Sequence, residues 1–307
     1  MSLASRTPPT VQEYQAYRTR FSNWGRWGAG DQLGTLNHIS EETRRAAAAL
    51  VRAGRPVSLA NPLATARVLP GPRNPSPAEH RMQIGDRGSS DYIGVSYHGF
   101  VNTHIDALCH IFAEDGTLYN GRPPSDLTEE GAKSNSIDHW RHGIVTRGVL
   151  YDIPRYRGAP YVTFEEPVHG WELEDVAKAQ GVAPQPGDAV LVRAGGEAFW
   201  AANPDFAPAW KAPGLHCSVL EFLHAHDAAL LGWDLMEAPG QDEYGAPALP
   251  IHSIAIPYMG LPLLDNANFE ALAATCSELG RWEFQLTIAP LVVVGGTGSP
   301  VNPIAVL

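Results

Sequence analysis

Hydrophobic and polar positions along the chain fall into strand and helix periods that alternate. Pro56–Ala60, Gly148–Ile153, Ala189–Val192, Ala228–Trp233, Trp282–Val294 and Ile304–Leu307 are apolar runs of strand type. Ile93, Val95 and Tyr97 repeat at every second position and predict a strand over Tyr92–Gly99. Helices are expected at Val11–Arg20, Ser136–Arg141, Glu172–Gln180, Ser218–His226 and Phe269–Leu279. Another is expected to open at Ser40, a capping residue followed by Glu41 and Glu42, and to run to Ala53 before Gly54. Gly181 and Gly280 stand where two of the others must stop. Helix followed by strand over residues 218–233 predicts an α/β unit. The apolar segment Leu249–Pro262 reads as extended chain with His252 embedded in it.

Between these elements, residues 61–91 are rich in Pro, Arg and Gly, and read as a lid or an interface loop. Residues 1–22 read as an amino-terminal arm. Gly295–Pro300 lacks the Lys and the following helix of a phosphate loop, so it is a tight connection. Without an internal repeat or a low-complexity linker, residues 1–307 read as one domain.

With 44% hydrophobic and 18% charged residues, a 307-residue chain buries a sizeable core. Its net charge of -11 argues against nucleic acid and anionic membrane surfaces as partners. No apolar run approaches a membrane span, and Met1–Gln15 lacks a basic-then-apolar leader. Cys109, Cys217 and Cys276 are odd in number and have no CxxC spacing, which fits a reducing compartment. A cytoplasmic location and a small-molecule substrate are expected.

The chemistry concentrates in Ser96–Ile111, where His98, His104, Asp106 and His110 fall within thirteen positions. Their neighbours Val95, Tyr97, Ile105, Leu108, Ile111 and Phe112 are those of a buried strand. On a strand, His104 and Asp106 share a face and can chelate one ion, with Ile105 turned to the core. Imidazole with carboxylate suits zinc, manganese or iron better than calcium or magnesium. His110 reads as a further ligand or as a base. The alternative is a set of core histidines bonded to backbone carbonyls. Trp24 and Trp27, set among glycines, read either as the floor of an aromatic pocket or as packing anchors. His216 precedes a helix, from which it could reach the site.

Thr103-His104-Ile105-Asp106-Ala107-Leu108-Cys109-His110 resembles the His-x-Gly-Thr-His-x-Asp-x-Pro-x-His signature of the cyclase superfamily, which includes bacterial kynurenine formamidase and isatin hydrolase. Trp24–Gly28 with Asp31–Asn37, Pro213–Leu215, Leu231–Asp234, Leu249–His252 and the Gly295–Pro303 tail fit that family in order. The resemblance implies a single mixed α/β domain with a central β-barrel-like layer of swivelling β/β/α type, assembled as a homodimer or homotetramer. It also implies His252 and Asp265 as further metal ligands and His110 as the acid–base residue. The family's first His falls at Phe100, with His98 two residues earlier, so one zinc or manganese ion is expected rather than two. His98 is the candidate to reach that ion. The implied activity is metal-dependent hydrolysis of a formamide, lactam or cyclic imide, with Trp24, Trp27, Tyr97, Phe100 and His216 near the substrate. A polyketide-type cyclase or lyase, and a non-catalytic binding protein, are the alternatives on the same fold.

Overall fold

The computed structural model describes residues 2–206, 211–238, 244 and 249–307. A curled nine-stranded mixed sheet, half a barrel in shape, organises them. Its order is Pro56–Ser58, Ile304–Val306, Glu283–Ile288, Ile144–Asp152, Ala189–Arg193, Leu230–Trp233, Leu263–Asp265, His104–Asp106 and Gly298–Pro300. The four strands from Ile144–Asp152 to Leu263–Asp265 are parallel to one another. Parallel strands are covered on both faces, which is why these runs are apolar at consecutive positions rather than alternate ones.

Two hydrophobic cores result. Val149, Tyr151, Val190, Val192, Leu231, Trp233 and Leu263 enter one, which the helices Gly170–Gln180 and Val219–Ala225 cover. Leu150, Ala189, Leu191, Leu230, Leu264 and Ile105 enter the other, beneath the helix Glu270–Leu279. Each fully buried Leu, Val or Phe contributes roughly 1.5–3 kcal/mol relative to an exposed one.

Several boundaries differ from the sequence expectation. The expected strand Trp282–Val294 ends at Ile288, because Pro290 offers no N–H to a ladder, and Leu291–Val294 are exposed. The helix from Glu41 stops at Ala48, closing in tighter turns at Leu50 and Val51. Tyr92–Gly99 is strand only to Gly94. That strand, Ser89–Gly94, pairs with Glu79–Ile84 in a hairpin exposed on both faces, so the loop expected over 61–91 contains regular structure. His252 lies on a helical turn, His252–Ile254, followed by a π-type turn over Ala255–Met259. Gly260 ends this segment at φ +64°, with its Cα against the Tyr119 ring, where a Cβ would come within 2.4 Å of the ring. A Cβ on Gly34 would in turn collide with the Gly260 carbonyl, which accepts the Thr35 N–H at 2.8 Å and seats the amino-terminal segment on the His252 turn.

Candidate metal centre

His104 and Asp106 stand two apart on a fully buried strand of three residues. Its antiparallel neighbour sets Asp265 opposite His104, so those two side chains share a face. Asn266, at φ +51°, braces the junction, donating its amide to the Gly99 and Asn102 carbonyls while its own carbonyl accepts the Thr103 hydroxyl. The helical turn at His252 supplies the fourth group. His104 Nε2 lies 3.4 Å from Asp106 Oδ1 and 3.9 Å from Asp265 Oδ2. His252 Nε2 lies 3.6 Å from Asp106 Oδ2 and 3.5 Å from Asp265 Oδ2.

Both imidazoles are held from behind. His104 Nδ1 donates to the Asn102 carbonyl at 2.8 Å. His252 Nδ1 donates to Glu237, whose other oxygen accepts the Ile251 N–H. With Nδ1 held by these acceptors, each Nε2 faces the carboxylates, where a bound cation would take the place of an Nε2 proton. Glu237 was not foreseen from the sequence. It reaches His252 because the short strand Met236–Glu237 pairs with Gly214–Leu215, a contact between distant segments that no local pattern announces.

His98 also arrives at the cluster. Its Nδ1 lies 3.0 Å from Asp106 Oδ1, and its Nε2 lies 3.0 Å from the Thr297 hydroxyl. The ring stacks on His110 at 3.8 Å between centroids and 3° between planes. His110 Nε2 stands 3.9 Å from Asp106 Oδ2. Two donor groups therefore overlap at Asp106: His104 with Asp265, and His98 with His110. Phe100 is buried with Ala212 and Met236 in a small apolar cluster that Leu249 flanks.

Burial works to raise Asp106, but His110, His252, His98 and His104 hold its carboxyl well below the ordinary carboxylate range. Burial works to lower His252, but Glu237, Asp106 and Asp265 hold it well above the ordinary imidazole value. His110 is pushed down to about 4 by burial, against the pull of Asp106.

These residues fit a divalent cation. Both Asp106 oxygens and Asp265 Oδ1 are buried with no hydrogen-bond partner. Buried carboxylates left without donors cost several kcal/mol each, which a cation offsets. Donors about 2.0–2.2 Å from a common ion stand roughly 3–4 Å from one another; His104, Asp106 and Asp265 offer donor atoms all within 4.8 Å of one another, and His252 Nε2 lies within 3.6 Å of both carboxylates. His104, Asp106, His252 and Asp265 would hold such an ion.

Three expected site residues lie elsewhere. Trp24 donates its indole N–H to the Pro257 carbonyl at 2.7 Å and stacks on Tyr258. Trp27 packs edge-on to His38 beneath Arg26. Among the described residues, no hydrogen bond or ring contact joins either indole to the cluster, and both act as packing anchors. His216 sits beside His169, with Nδ1 accepting the Ser218 N–H and Nε2 3.2 Å from the Tyr244 hydroxyl. Burial pushes its pKa down to about 3. Its polar atoms are occupied there, and it is in neither metal-capable group.

Residues 37–238, more than half of the chain, match the sequence model of the Cyclase family, described as "Putative cyclase". The chain belongs to the cyclase family. Among solved structures, a novel cyclase is 29% identical, with a TM-score of 0.83 over 94% of this chain and 99% of the other. Isatin hydrolase A from Labrenzia aggregata, bound to benzyl benzoate, is 16% identical, with a TM-score of 0.58 over 86% and 98% of the two chains. Isatin hydrolase A from Ralstonia solanacearum is 18% identical, with a TM-score of 0.56 over 87% and 97%. The likeness to the two isatin hydrolases is one of fold. A comparison with curated proteins returned no match. The resemblance implied a mixed α/β domain with a central β-barrel-like layer, and the curled nine-stranded sheet of the cyclase fold, half a barrel, fits it. Among the described residues, no helix is long and apolar enough to cross a membrane.

Proposed function

We propose that this cyclase-family protein is a metal-dependent hydrolase of a non-peptide amide: a formamide, lactam or cyclic imide on an apolar or aromatic body. The observation that carries this reading is the convergence of His104 Nε2, Asp106, His252 Nε2 and Asp265 Oδ2 at 3.4–3.9 Å around unpartnered carboxylate oxygens. Zinc or manganese suits this mixed nitrogen and oxygen set. When bound, such an ion supplies Lewis acidity and a water acidified toward neutral pH.

The side chains divide the remaining work. His110, kept neutral by burial, accepts the proton of the attacking water and returns it to the leaving nitrogen. His98 clamps the His110 ring by stacking, and Thr297 fixes His98 in turn. Glu237 fixes the tautomer of His252. Phe100 and Tyr97, whose ring lies 5.9 Å from His104, offer apolar surface to the substrate body. The isatin hydrolases, alike in fold, lend support through a lactam substrate class.

The test is turnover of isatin and formanilide by the metal-loaded protein in ¹⁸O-labelled water. Label in the product carboxylate is expected. Product without label, or ring closure with loss of water, would replace this reading by a cyclase or lyase. We also infer self-association, since the hairpin Glu79–Gly94 leaves Met82, Ile84, Tyr92 and Ile93 exposed. A monomer mass by light scattering would remove that inference.

A further inference from the structure

Arg73 lies in the segment that the metal chemistry leaves unused. Its guanidinium stacks on the Trp200 ring at 3.8 Å. Its Nε is buried without a hydrogen-bond partner, and no ion pair reaches it among the described residues. Arg73 is half-buried, and a cation so placed is usually paired. Burial alone moves its pKa, down to about 10, and no carboxylate acts on it. The position is built rather than incidental. Asn74, next in sequence and buried, donates its amide to the Ala64 and Leu69 carbonyls, and Ala64 in turn donates its N–H to Asn102.

Arg73 and Trp200 border a cavity of about 100 Å³ that Asn61 and Asn268 also line. None of the cluster histidines or aspartates lines it. Three carboxylates do, and two of them are engaged by other partners. Glu270 pairs with Arg193 at 2.7 Å. Asp234 accepts the N–H groups of Ala194, Gly195 and Gly196 at 2.6–3.0 Å. The third, Glu197, is exposed and reaches the Asn268 amide at 3.4 Å instead of Arg73.

We propose that this cavity binds a small carboxylate anion, held by the Arg73 fork, at a site separate from the metal centre; the Asn268 amide beside it is already given to Asn61 Oδ1 and Glu197. A guanidinium lying flat on an aromatic ring presents its edge, and that edge matches a carboxylate with two parallel bonds. The volume takes a carboxylate head group, and the body of a larger acid would stand in the open mouth. Asn61 places the site directly behind the metal centre. Its backbone N–H donates to Thr103 and its amide to the Asn266 carbonyl, residues that adjoin His104 and Asp265.

Calorimetric titration of acetate and of benzoate into the full-length, metal-loaded protein tests the site. Arg73→Gln should weaken one class of binding about 10- to 100-fold, the usual effect of removing a hydrogen bond to a charged group. Arg73→Lys, which keeps charge but not the fork, should weaken it less. His104→Ala should leave this class intact, which separates it from carboxylates that coordinate the ion. Thermal melting of both Arg73 variants near the parent value excludes misfolding as the cause. A crystal soaked in 4-bromobenzoate should place bromine density beside Trp200. Undiminished binding in folded Arg73→Gln, bromine at the metal centre alone, or a crystal in which Glu197 closes onto Arg73 would each overturn the proposal.

Discussion

Replacing Glu237 by Gln probes how the metal centre is held from behind. The change keeps shape and volume and alters hydrogen-bonding polarity. Both Glu237 oxygens accept, one from His252 Nδ1 and the other from the Ile251 N–H, and the side chain is 2% exposed. A Gln has one oxygen and one NH₂, so one of those donors must then face another donor. If the NH₂ faces His252, the ring is driven to the opposite tautomer and Nε2 loses its lone pair. If it faces Ile251, a buried N–H is unsatisfied, at about 1–3 kcal/mol, and the turn carrying His252 shifts. Groups that orient a ligating His are worth about 10- to 100-fold in metal affinity, which corresponds to roughly 1.4–2.8 kcal/mol. The assay is competition for zinc against a chromogenic chelator, with melting temperature measured in parallel. A folded Glu237→Gln protein that binds zinc as tightly as the parent would refute the argument.

Other residues give independent tests. His110→Ala should lower kcat about 10²- to 10⁴-fold while the bound metal is retained; unchanged turnover would remove its proton-transfer role. Asp138 is opposed by burial, but Ser136, the Gly295 N–H and Arg141 hold its carboxyl below the ordinary range. A depressed carboxylate contributes stability above its unfolded pKa of about 3.9 and loses it as pH falls through the folded value. Asp138→Asn should therefore be less stable at neutral pH and lose less on acidification below about pH 4. Equal acid slopes for the two proteins in urea unfolding would contradict this.

What the sequence made legible depended on whether the cause was local. His104 and Asp106 were visible because strand alternation sets both on one face within three residues. His98 was visible as a neighbour in the chain, but its approach to Asp106 depends on Thr297, almost two hundred residues away. His252 was read as part of an extended segment. It sits on a helical turn because Gly260 and the Gly34 segment pack that way, which the apolar run alone does not signal. Glu237 left no trace, since its role exists only once its strand pairs with Gly214–Leu215. Trp24 was left between pocket floor and packing anchor because its glycine neighbours suggest exposure, whereas its N–H finds the Pro257 carbonyl across the fold. The hairpin within 61–91 had a signal in Gly85-Asp86-Arg87-Gly88, a turn between alternating stretches.

The account rests on a cation shared by His104, Asp106, His252 and Asp265. Anomalous diffraction at the zinc and manganese edges, from crystals of the protein purified without chelator, tests this most directly. A peak within bonding distance of His104 Nε2, His252 Nε2 and both carboxylates, absent in Asp106→Ala, is the expected result. Density without an anomalous peak, with His252 bonded to Asp106 and Asp265 by protons alone, would contradict it.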